Sequence, residues 1–305
     1  MRICSLLPSA TEIVGSLGLV ESLVAVSEEC DWPPEVRALP VLTASRVETT
    51  RLSSFEIDRA VREAVGDRRP LYAIDRKLLE TLKPDLILTQ NLCTVCAVSS
   101  GTVDELCATD AEVVALDAHT LAEIEGRILS LANLLGVATR GREVVDEMEA
   151  KVAAVSELVS EAPRRPVFVA EWLDPPYAAG HWIPEMVALA GGREVLGRAG
   201  APSYPTSWET VGRQRPELVV VAPCGFDHRR AAREATLPLG CRAVAVDSNA
   251  YYARPAPRIA DGVAQLAFLI HPDLVDDPGL PYIELDGPST RLATFVTAER
   301  SRGRR

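Results

Sequence analysis

The sequence predicts an α/β fold of two similar Rossmann-like lobes, each with a parallel central sheet, joined by one long backbone helix. Three observations predict this fold. Short apolar strands alternate with amphipathic helices through both halves of the 305-residue chain. One helical pattern without proline runs through the middle, and the segments on either side of it repeat each other in order. A chain of this length can bury two ordinary cores.

The central helix is predicted over Arg140–Ala162. Its apolar residues recur at steps of three and four with charged residues between them, which is the spacing of an amphipathic helix. They are Val144, Val145, Met148, Val152, Val155, Leu158 and Val159. The stretch makes about six turns. We expect it to be a stiff connection between the lobes.

The two halves of the chain repeat a strand that ends close to a cysteine. K-P-D-L-I-L-T-Q-N-L-C (Lys83–Cys93) is matched by R-P-E-L-V-V-V-A-P-C (Arg215–Cys224), and a second pair of strands begins at Glu112 and Arg242. Such a long repeat indicates two lobes rather than an array, although strands of parallel sheets resemble one another in any case. The predicted divisions are an N-terminal lobe over 1–119, connecting helices over 120–162, a C-terminal lobe over 163–272 and a wrapped or partly disordered tail over 273–305.

In the first lobe, strands and helices alternate as in a parallel sheet. The predicted strands are Arg2–Leu7, Leu23–Val26, Asp85–Thr89 and Glu112–Leu116. A small polar residue ahead of each apolar periodic run predicts where a helix begins. The predicted caps are Ser9, Ser53, Asp75 and Thr120. The stretch Val103–Cys107 is also predicted to be helical.

The second lobe repeats this alternation. Its predicted strands are Pro166–Glu171, Leu218–Ala222 and Ala243–Val246. The stretch 172–185 is predicted as a long loop before a helix that ends at Gly191 and Gly192. Thr206 is the predicted cap of the next helix, and Pro257 the predicted first residue of a helix that ends at Ile270.

Ligands of parallel α/β sheets bind at the carboxyl ends of the strands, and the loops predicted there are rich in functional side chains. These are Cys30, Trp32, Gln90, Cys93, Cys96, Trp172, His181, Trp182, Cys224, Asn249 and Tyr251. Two lobes joined by a stiff helix would place these loops on facing walls of one cleft. We therefore expect a small-molecule site between the lobes.

Composition excludes several classes of protein. The formal net charge of −11 disfavours a nucleic-acid or anionic-membrane surface. The apolar runs are far shorter than the roughly 20 residues that span a bilayer, so the chain is not expected to be membrane-embedded. Seven cysteines, an odd number, fit a reducing compartment, and no signal-peptide pattern follows Met1. We expect a cytoplasmic protein, or an exported one if the true start lies upstream.

No catalytic residue is predicted, because the sequence has no glycine-rich phosphate loop, catalytic triad or paired-carboxylate motif. Six other motifs follow one another in order. They are S-L-L-P-S-A-T-E-I-V, E-C-D-W-P, Q-N-L-C-T-V-C-A-V-S, E-W-L-D-P-P-Y-A-A-G-H-W-I-P-E, P-C-G-F and N-A-Y-Y-A-R-P-A-P-R. Together they resemble the cobalamin-binding branch of the periplasmic binding-protein family, whose two α/β lobes are bridged by one long helix. The resemblance covers residues 1–272.

The resemblance implies that the protein captures a corrinoid such as cobalamin, or an iron chelate, in the cleft. It also implies delivery to the permease of an ATP-driven (ABC) importer, without catalysis. The sequence departs from that pattern in having no export signal and in carrying cysteines in the cleft loops. In both respects it is similar to a signal-less subgroup of the family.

The candidate ligand contacts are Trp32, Gln90, His181, Trp182, Trp208 and Tyr251. Aromatic faces suit a planar corrin because they bury a large area at small entropic cost. The same rings would also serve simply as packing under loops. A neutral imidazole at His181 can coordinate cobalt, and a hydrogen bond within its loop is the alternative role.

The pair Cys93 and Cys96 has three interpretations. A redox pair would need a helix N-terminus to lower a thiol pKa, and two buried thiols can simply pack. A metal site would need two further soft ligands, for which Cys30 and Cys224 lie in suitable loops and His181 is an alternate. That third interpretation gives the rival function, a cytosolic metalloprotein, either an enzyme or a sensor, with zinc or an iron–sulfur cluster.

Overall fold

The computed structural model describes residues 1–67, 69–91 and 110–285. The chain forms two compact units: unit 1 comprises Met1–Glu149 with Arg254–Pro257, and unit 2 comprises Ala150–Ala253 with the residues that follow Pro257. Both units are α/β, as predicted. The finer predicted divisions at 119, 162 and 272 stay predictions.

Unit 1 contains a parallel four-stranded sheet and a separate two-stranded ribbon. Its strands are β1 (Ile3–Ser5), β2 (Leu23–Val26), β3 (Thr43–Ser45), β4 (Tyr72–Ile74), β5 (Leu86–Thr89) and β6 (Glu112–Ala115). The main sheet has the order β2-β1-β5-β6, with every neighbouring pair parallel. The antiparallel ribbon consists of β3 and β4. The four predicted strands of this lobe are confirmed.

The helices of unit 1 begin where small polar residues cap them, with one exception. They are α1 (Pro8–Ser16), α2 (Ser54–Gly66), α3 (Arg76–Leu82) and α4 (Leu121–Leu134). Ser53, Asp75 and Thr120 each accept a hydrogen bond from a backbone N–H in the first turn, as predicted. Ser9 is not a cap, since α1 already begins at Pro8 and Ser9 is buried inside it. Proline is pre-organised for the first helical position, and this moves the cap two residues earlier, to Leu7.

The long central helix is confirmed as α5 (Ala138–Leu158), 21 residues long. The division between the two units, at Glu149 and Ala150, falls inside it. The helix ends four residues before the predicted Ala162. Pro163 follows Ala162, and a proline disfavours helical backbone in the residue before it, so the helix does not reach Ala162.

Unit 2 has a seven-stranded mixed sheet. Its strands are β7 (Arg165–Leu173), β8 (Pro176–Ala178), β9 (Gly192–Glu194), β10 (Tyr204–Pro205), β11 (Leu218–Val221), β12 (Arg242–Val246) and β13 (Tyr282–Leu285). The order is β10-β8-β7-β11-β12-β13, and β9 pairs with the start of β7. The centre, β7-β11-β12, is parallel as predicted. The pairs that involve β8, β10 and β13 are antiparallel.

Two strands of unit 2 depart from the predictions. The stretch 172–185 is not a single loop, because β8 forms within it and pairs with the end of β7. Pro176 is the first residue of β8, a position where the missing N–H is tolerated. The proline-rich tail contributes β13, which pairs with β12. Neither strand has a strong local pattern, and both form because a partner strand is available.

The helices of unit 2 are α6 (Ile183–Leu189), α7 (Trp208–Arg213), α8 (His228–Glu234), α9 (Ser248–Tyr251) and α10 (Ile259–Ile270). The predicted stop at Gly191 is confirmed by its left-handed φ of 78°. The cap of α7 is Ser207 rather than Thr206. Pro257 does not start α10, which begins two residues later, because Arg254–Pro257 packs within unit 1.

The core of unit 2 includes most of α10, nine of whose twelve residues are buried. Despite this apolar character, α10 is too short to cross a bilayer. Within the described ranges, no helix combines the length and the hydrophobicity that a membrane span requires.

Candidate functional site

At the carboxyl end of the unit 1 sheet, hydroxyl groups surround a buried thiol. Ser5 ends β1, Ser27 follows β2, and Thr11 lies in α1. The Thr11 hydroxyl donates to Ser5 Oγ at 2.8 Å. The Cys30 Sγ lies 3.0 Å from Thr11 Oγ1 and 3.1 Å from Ser27 Oγ. Burial raises the pKa of the Cys30 thiol above its usual value. With no metal bound, the thiol therefore stays protonated at neutral pH.

The same loop holds an ion pair from a distant part of the chain. Arg254, 8% exposed, donates from Nη1 to the Asp31 carboxylate at 2.5 Å and from Nη2 to the Glu29 carbonyl at 3.1 Å. These two contacts help to explain why Arg254–Pro257 belongs to unit 1. Trp32, a predicted ligand contact, is half-buried next to Asp31.

Two further features complete this end of unit 1. Gln90, the residue after β5, is 7% exposed and is a buried polar residue with a partner. A pocket of about 310 Å³ is lined in part by Ser27, Cys30 and Asp31. Burial raises the pKa of Glu28, another lining residue. This end of the sheet is therefore polar and tightly hydrogen-bonded.

In unit 2, the loops that leave β7, β11 and β12 are tied to one another. The N–H of Cys224 donates to the Glu171 carbonyl at 3.1 Å. The Ser248 hydroxyl donates to the Ala222 carbonyl at 2.9 Å. The first bond joins the segment after β11 to the last part of β7, and the second joins that segment to the start of α9, so the three form one surface at the carboxyl end of the sheet.

Aromatic rings cover this surface. The Trp172 ring lies 5.4 Å from that of Phe226, and the Arg230 guanidinium lies 3.8 Å above Phe226. Tyr177 of β8 is paired with Trp172, and both are half-buried. Tyr251, a predicted contact, has Arg258 5.7 Å from its ring centre. Sequence reasoning missed Tyr177 and Phe226 as candidates; the signal available for Tyr177 was its position after the two prolines of the motif D-P-P-Y.

The other aromatic candidates lie elsewhere in unit 2. Trp182 is 6% exposed and donates its indole N–H to the Tyr252 carbonyl at 2.8 Å, so it is a core residue with its polar group satisfied. Trp208 starts α7 and packs edge-on against Phe168 at 6.0 Å. The structure thus brings Tyr251 to the loop surface and buries Trp182, whereas Trp208 is half-buried and stays a predicted ligand contact.

His181 does not lie in the exit loop of β7. β8 runs back from the carboxyl end, and His181 follows the end of β8 that pairs with Ala170. The residue has a left-handed φ of 50°, a conformation that costs energy for any residue other than glycine. Its ring packs edge-on against Trp182 at 5.8 Å.

Of the four proposed metal ligands, two lie within the described residues, one in each unit. Cys30 is buried in unit 1 and Cys224 is exposed in unit 2. Cys93 and Cys96, like the helix predicted at Val103–Cys107, lie outside the described residues. Across 1–67, 69–91 and 110–285, no group of three or more histidine, cysteine or acidic residues is placed to hold a metal ion. Zinc and iron–sulfur binding thus have no support from this part of the chain.

A carboxylate in unit 2 is enclosed by backbone N–H groups. Glu194 Oε1 accepts from the N–H groups of the next three residues at 3.1–3.2 Å, and Oε2 accepts from that of Val169 at 3.0 Å. Desolvation raises the pKa of Glu194 to about 7, although the four hydrogen bonds lower it. The carboxylate thereby fixes the start of the loop between β9 and β10.

Known proteins match this chain over most of its length. A family model described as periplasmic binding protein matches residues 3–237. A vitamin B12-binding protein of Vibrio cholerae is 25% identical over an alignment of 280 residues that covers 87% of each chain. An uncharacterized ABC transporter substrate-binding lipoprotein of Bacillus subtilis is 24% identical over 290 residues, covering 89% of this chain and 80% of its own.

Solved structures share the fold. A periplasmic heme-binding protein from Pseudomonas aeruginosa superposes with a TM-score of 0.67 at 18% identity, covering 95% of this chain and 99% of its own. The periplasmic vitamin B12-binding protein of Vibrio cholerae gives a TM-score of 0.60 at 22% identity, covering 87% and 94%. At these identities the likeness concerns the fold, and it confirms the predicted fold class.

Proposed function

This chain belongs to the periplasmic binding protein family, whose members are non-enzymatic substrate-binding proteins, and on that premise we propose that its ligand is a planar metal macrocycle. A corrinoid such as cobalamin is the first candidate, and heme is the comparison ligand. The observation that carries the proposal is the alignment with a vitamin B12-binding protein over 87% of both chains. The protein would deliver this ligand to the permease of an ABC importer.

The loop surface of unit 2 supports this choice. Trp172, Tyr177 and Tyr251 are all half-buried, so part of each ring faces outward. The backbone and side-chain bonds between the three loops hold the rings in place before any ligand arrives. Pre-positioned aromatic faces bind a planar molecule at little cost in conformational entropy.

Unit 1 offers fewer ligand contacts. Trp32 and Gln90 stay candidates, Trp32 because it is half-buried and directly follows Asp31 in the loop. Cys30 is enclosed by two hydroxyl groups, which favours a structural role. Placement of the ligand between the lobes and a location in the cytoplasm both stay predictions. The location is checked by fractionating cells that express the tagged full-length gene product.

A titration tests the proposal. Freshly purified, metal-analysed protein is titrated with hydroxocobalamin and, in parallel, with hemin, following tryptophan fluorescence against equilibrium dialysis. We expect saturable one-to-one binding of at least one macrocycle at a Kd of about 1 μM or below, a free energy of about −8 kcal/mol. The control variant is Phe55→Ala, which removes a half-exposed ring from α2 of unit 1 rather than from the aromatic surface of unit 2. Absence of saturable binding of both macrocycles would contradict the proposal.

A further inference from the structure

Strand β7 carries one residue more than its partner β8 where the two strands pair. Ala170 pairs with Ala178. The next pair along the strands is Trp172 with Tyr177, which leaves Glu171 as an extra residue of β7. Such an insertion is a β-bulge, a feature that re-aims the side chains next to it. The side chain that directly follows this bulge is that of Trp172.

The bulge changes the face of the sheet on which Trp172 lies. Side chains alternate between the two faces along a regular strand, which would put Trp172 on the same face as Phe168 and Ala170. Directly paired residues share a face, so Ala178 lies on the face of Ala170, and its neighbour Tyr177 lies on the opposite one. Trp172 pairs with Tyr177 and therefore lies on that opposite face as well.

The two faces carry different aromatic contacts. Phe168 packs edge-on against Trp208 at 6.0 Å on one side of β7. On the other side, the Trp172 ring lies 5.4 Å from that of Phe226 in the aromatic surface. A regular β7 would turn Trp172 toward the side of Phe168 and away from Phe226. The bulge is thus what brings this ring into the aromatic surface.

Glu171 is held at two points. Its carbonyl accepts from the Cys224 N–H at 3.1 Å, and its Oε1 accepts from the Gly180 N–H at 3.0 Å. The first bond engages the backbone of a residue that the bulge displaces from the regular ladder. It also ties the bulge to the segment that carries Phe226, the ring next to Trp172. The second bond connects the bulge with the residues that follow β8.

The backbone that receives the Glu171 carboxylate is closely packed. A Cβ atom at Gly180 would lie 2.3 Å from the Ser203 nitrogen and 2.4 Å from the Ala201 oxygen. The next N–H, that of His181, donates to the Ala201 carbonyl at 2.7 Å. Gly180 therefore has little freedom to move, and it is a fixed anchor for the carboxylate.

We infer that Glu171 is a positioning residue for ligand recognition, which holds Trp172 in the aromatic surface through the hydrogen bond of its carboxylate with Gly180. Glu171 acts through the ring and needs no contact with the ligand. A ring that is fixed before binding loses little conformational entropy when the ligand arrives. The inference rests on the proposed function, in which Trp172 contacts the macrocycle.

Equilibrium dialysis with hydroxocobalamin, or with hemin if only hemin binds the wild type, tests this role. For Glu171→Ala we expect about fivefold weaker binding, because the carboxylate anchor is lost. Glu171→Gln keeps an oxygen that accepts from Gly180, so its affinity should stay within about twofold of wild type. The control is Asp277→Ala, which removes another carboxylate of unit 2 that accepts a backbone N–H, that of Gly279 at 2.8 Å, and should leave the affinity unchanged.

A double variant tests whether Glu171 acts through the ring. Once Trp172→Ala has removed the ring, adding Glu171→Ala should weaken binding by less than about twofold further. An undiminished fivefold loss in the Trp172→Ala background, or no loss from Glu171→Ala alone, would overturn the inference. If Glu171→Ala does not fold, Glu171→Asp replaces it with the same expected results, because the shorter side chain draws the carboxylate away from Gly180.

The position of the ring is measured without a ligand, which keeps the inference separate from the proposed function. The chain has four tryptophans, and the indole N–H signal of Trp172 is assigned by its loss in Trp172→Phe. We expect nuclear Overhauser contacts between this indole and the Phe226 ring in wild type and in Glu171→Gln, and their loss in Glu171→Ala. Unchanged contacts in Glu171→Ala would overturn the inference. If wild-type protein binds neither macrocycle, the proposed function fails, and these contacts alone decide whether Glu171 positions the ring.

Discussion

The carboxyl ends of the two central sheets carry different kinds of side chain, although the strands of the two sheets repeat one sequence pattern. In unit 1, hydroxyl groups, a protonated thiol and the pair of Arg254 with Asp31 fill the carboxyl end. In unit 2, half-buried aromatic rings cover the corresponding end, and backbone bonds hold the loops together. Hydrogen bonds and an ion pair therefore order this end of unit 1, whereas unit 2 keeps partly exposed aromatic rings, on which the proposed ligand site rests.

The largest effect that we expect from this comparison is a pH dependence of the stability of unit 2. The folded-state pKa of Glu194 is raised to about 7, so its protonated form favours folding. The resulting stability is fully present below the unfolded-state pKa of about 4.3 and is lost as pH rises through about 7. We expect the free energy of unfolding to fall by at most about 4 kcal/mol over this window.

Glu194→Gln should remove that decline, because an amide does not titrate. Urea unfolding of both proteins at several pH values measures it. Glu157→Gln, an exposed acid near the end of α5, is the control and should keep the wild-type slope. An unchanged slope in Glu194→Gln would contradict the assigned ionisation.

The next effect concerns the ion pair of unit 1. We expect Arg254→Ala to destabilise the protein by about 2 kcal/mol, because the buried arginine makes two charge-assisted hydrogen bonds. Arg37 donates to the Asp31 carbonyl from an exposed position, so Arg37→Ala should cost less than about 0.5 kcal/mol. Equal urea-unfolding midpoints for the two variants would show that the buried ion pair stabilises the protein no more than the exposed contact of Arg37 does.

A smaller expected effect is a difference in thiol reactivity between the carboxyl ends of the two sheets. Cys224 is exposed, whereas Cys30 is buried with a raised pKa. Under native conditions at pH 7.5 we expect alkylation of Cys30 to be slower than that of Cys224 by at least about tenfold. Peptide mass spectrometry after timed treatment with iodoacetamide measures both sites. Labelling of Cys30 first would mean that the hydroxyl cluster opens readily.

The smallest effect is expected at Cys224 itself. Cys224→Ser should change the free energy of unfolding by less than about 0.5 kcal/mol, since the side chain is exposed. Its hydroxocobalamin affinity should also stay within about twofold of wild type. A large loss of affinity in dialysis would instead make this thiol a ligand contact.

Local patterns in the sequence predicted most of the fold. The helix α5 follows from its apolar spacing, and the start of α2 follows from the capping box at Ser53, which the structure confirms. Both signals depend on residues a few positions apart. The strands β8 and β13 were missed because their stability comes from pairing with β7 and β12, not from a pattern of their own.

The site was harder to predict because its contacts join distant residues. Trp182 looked like a ligand contact beside His181, yet its indole donates to a carbonyl 70 residues away. Arg254 and Asp31 are separated by 223 residues. No sequence spacing reveals such contacts. Trp172 was predicted to lie in an exit loop, but its role depends on Phe226 and Tyr177, which pairing brings beside it.

The most direct test compares the affinity for hydroxocobalamin of two variants by equilibrium dialysis. Trp172→Ala removes a ring from the aromatic surface of unit 2, and Arg254→Ala disrupts the ordered end of unit 1. We expect Trp172→Ala to weaken binding by about 2 kcal/mol, roughly thirtyfold. Folded Arg254→Ala protein should bind within about threefold of wild type. The reverse pattern would contradict the assignment of the ligand to the aromatic end of unit 2.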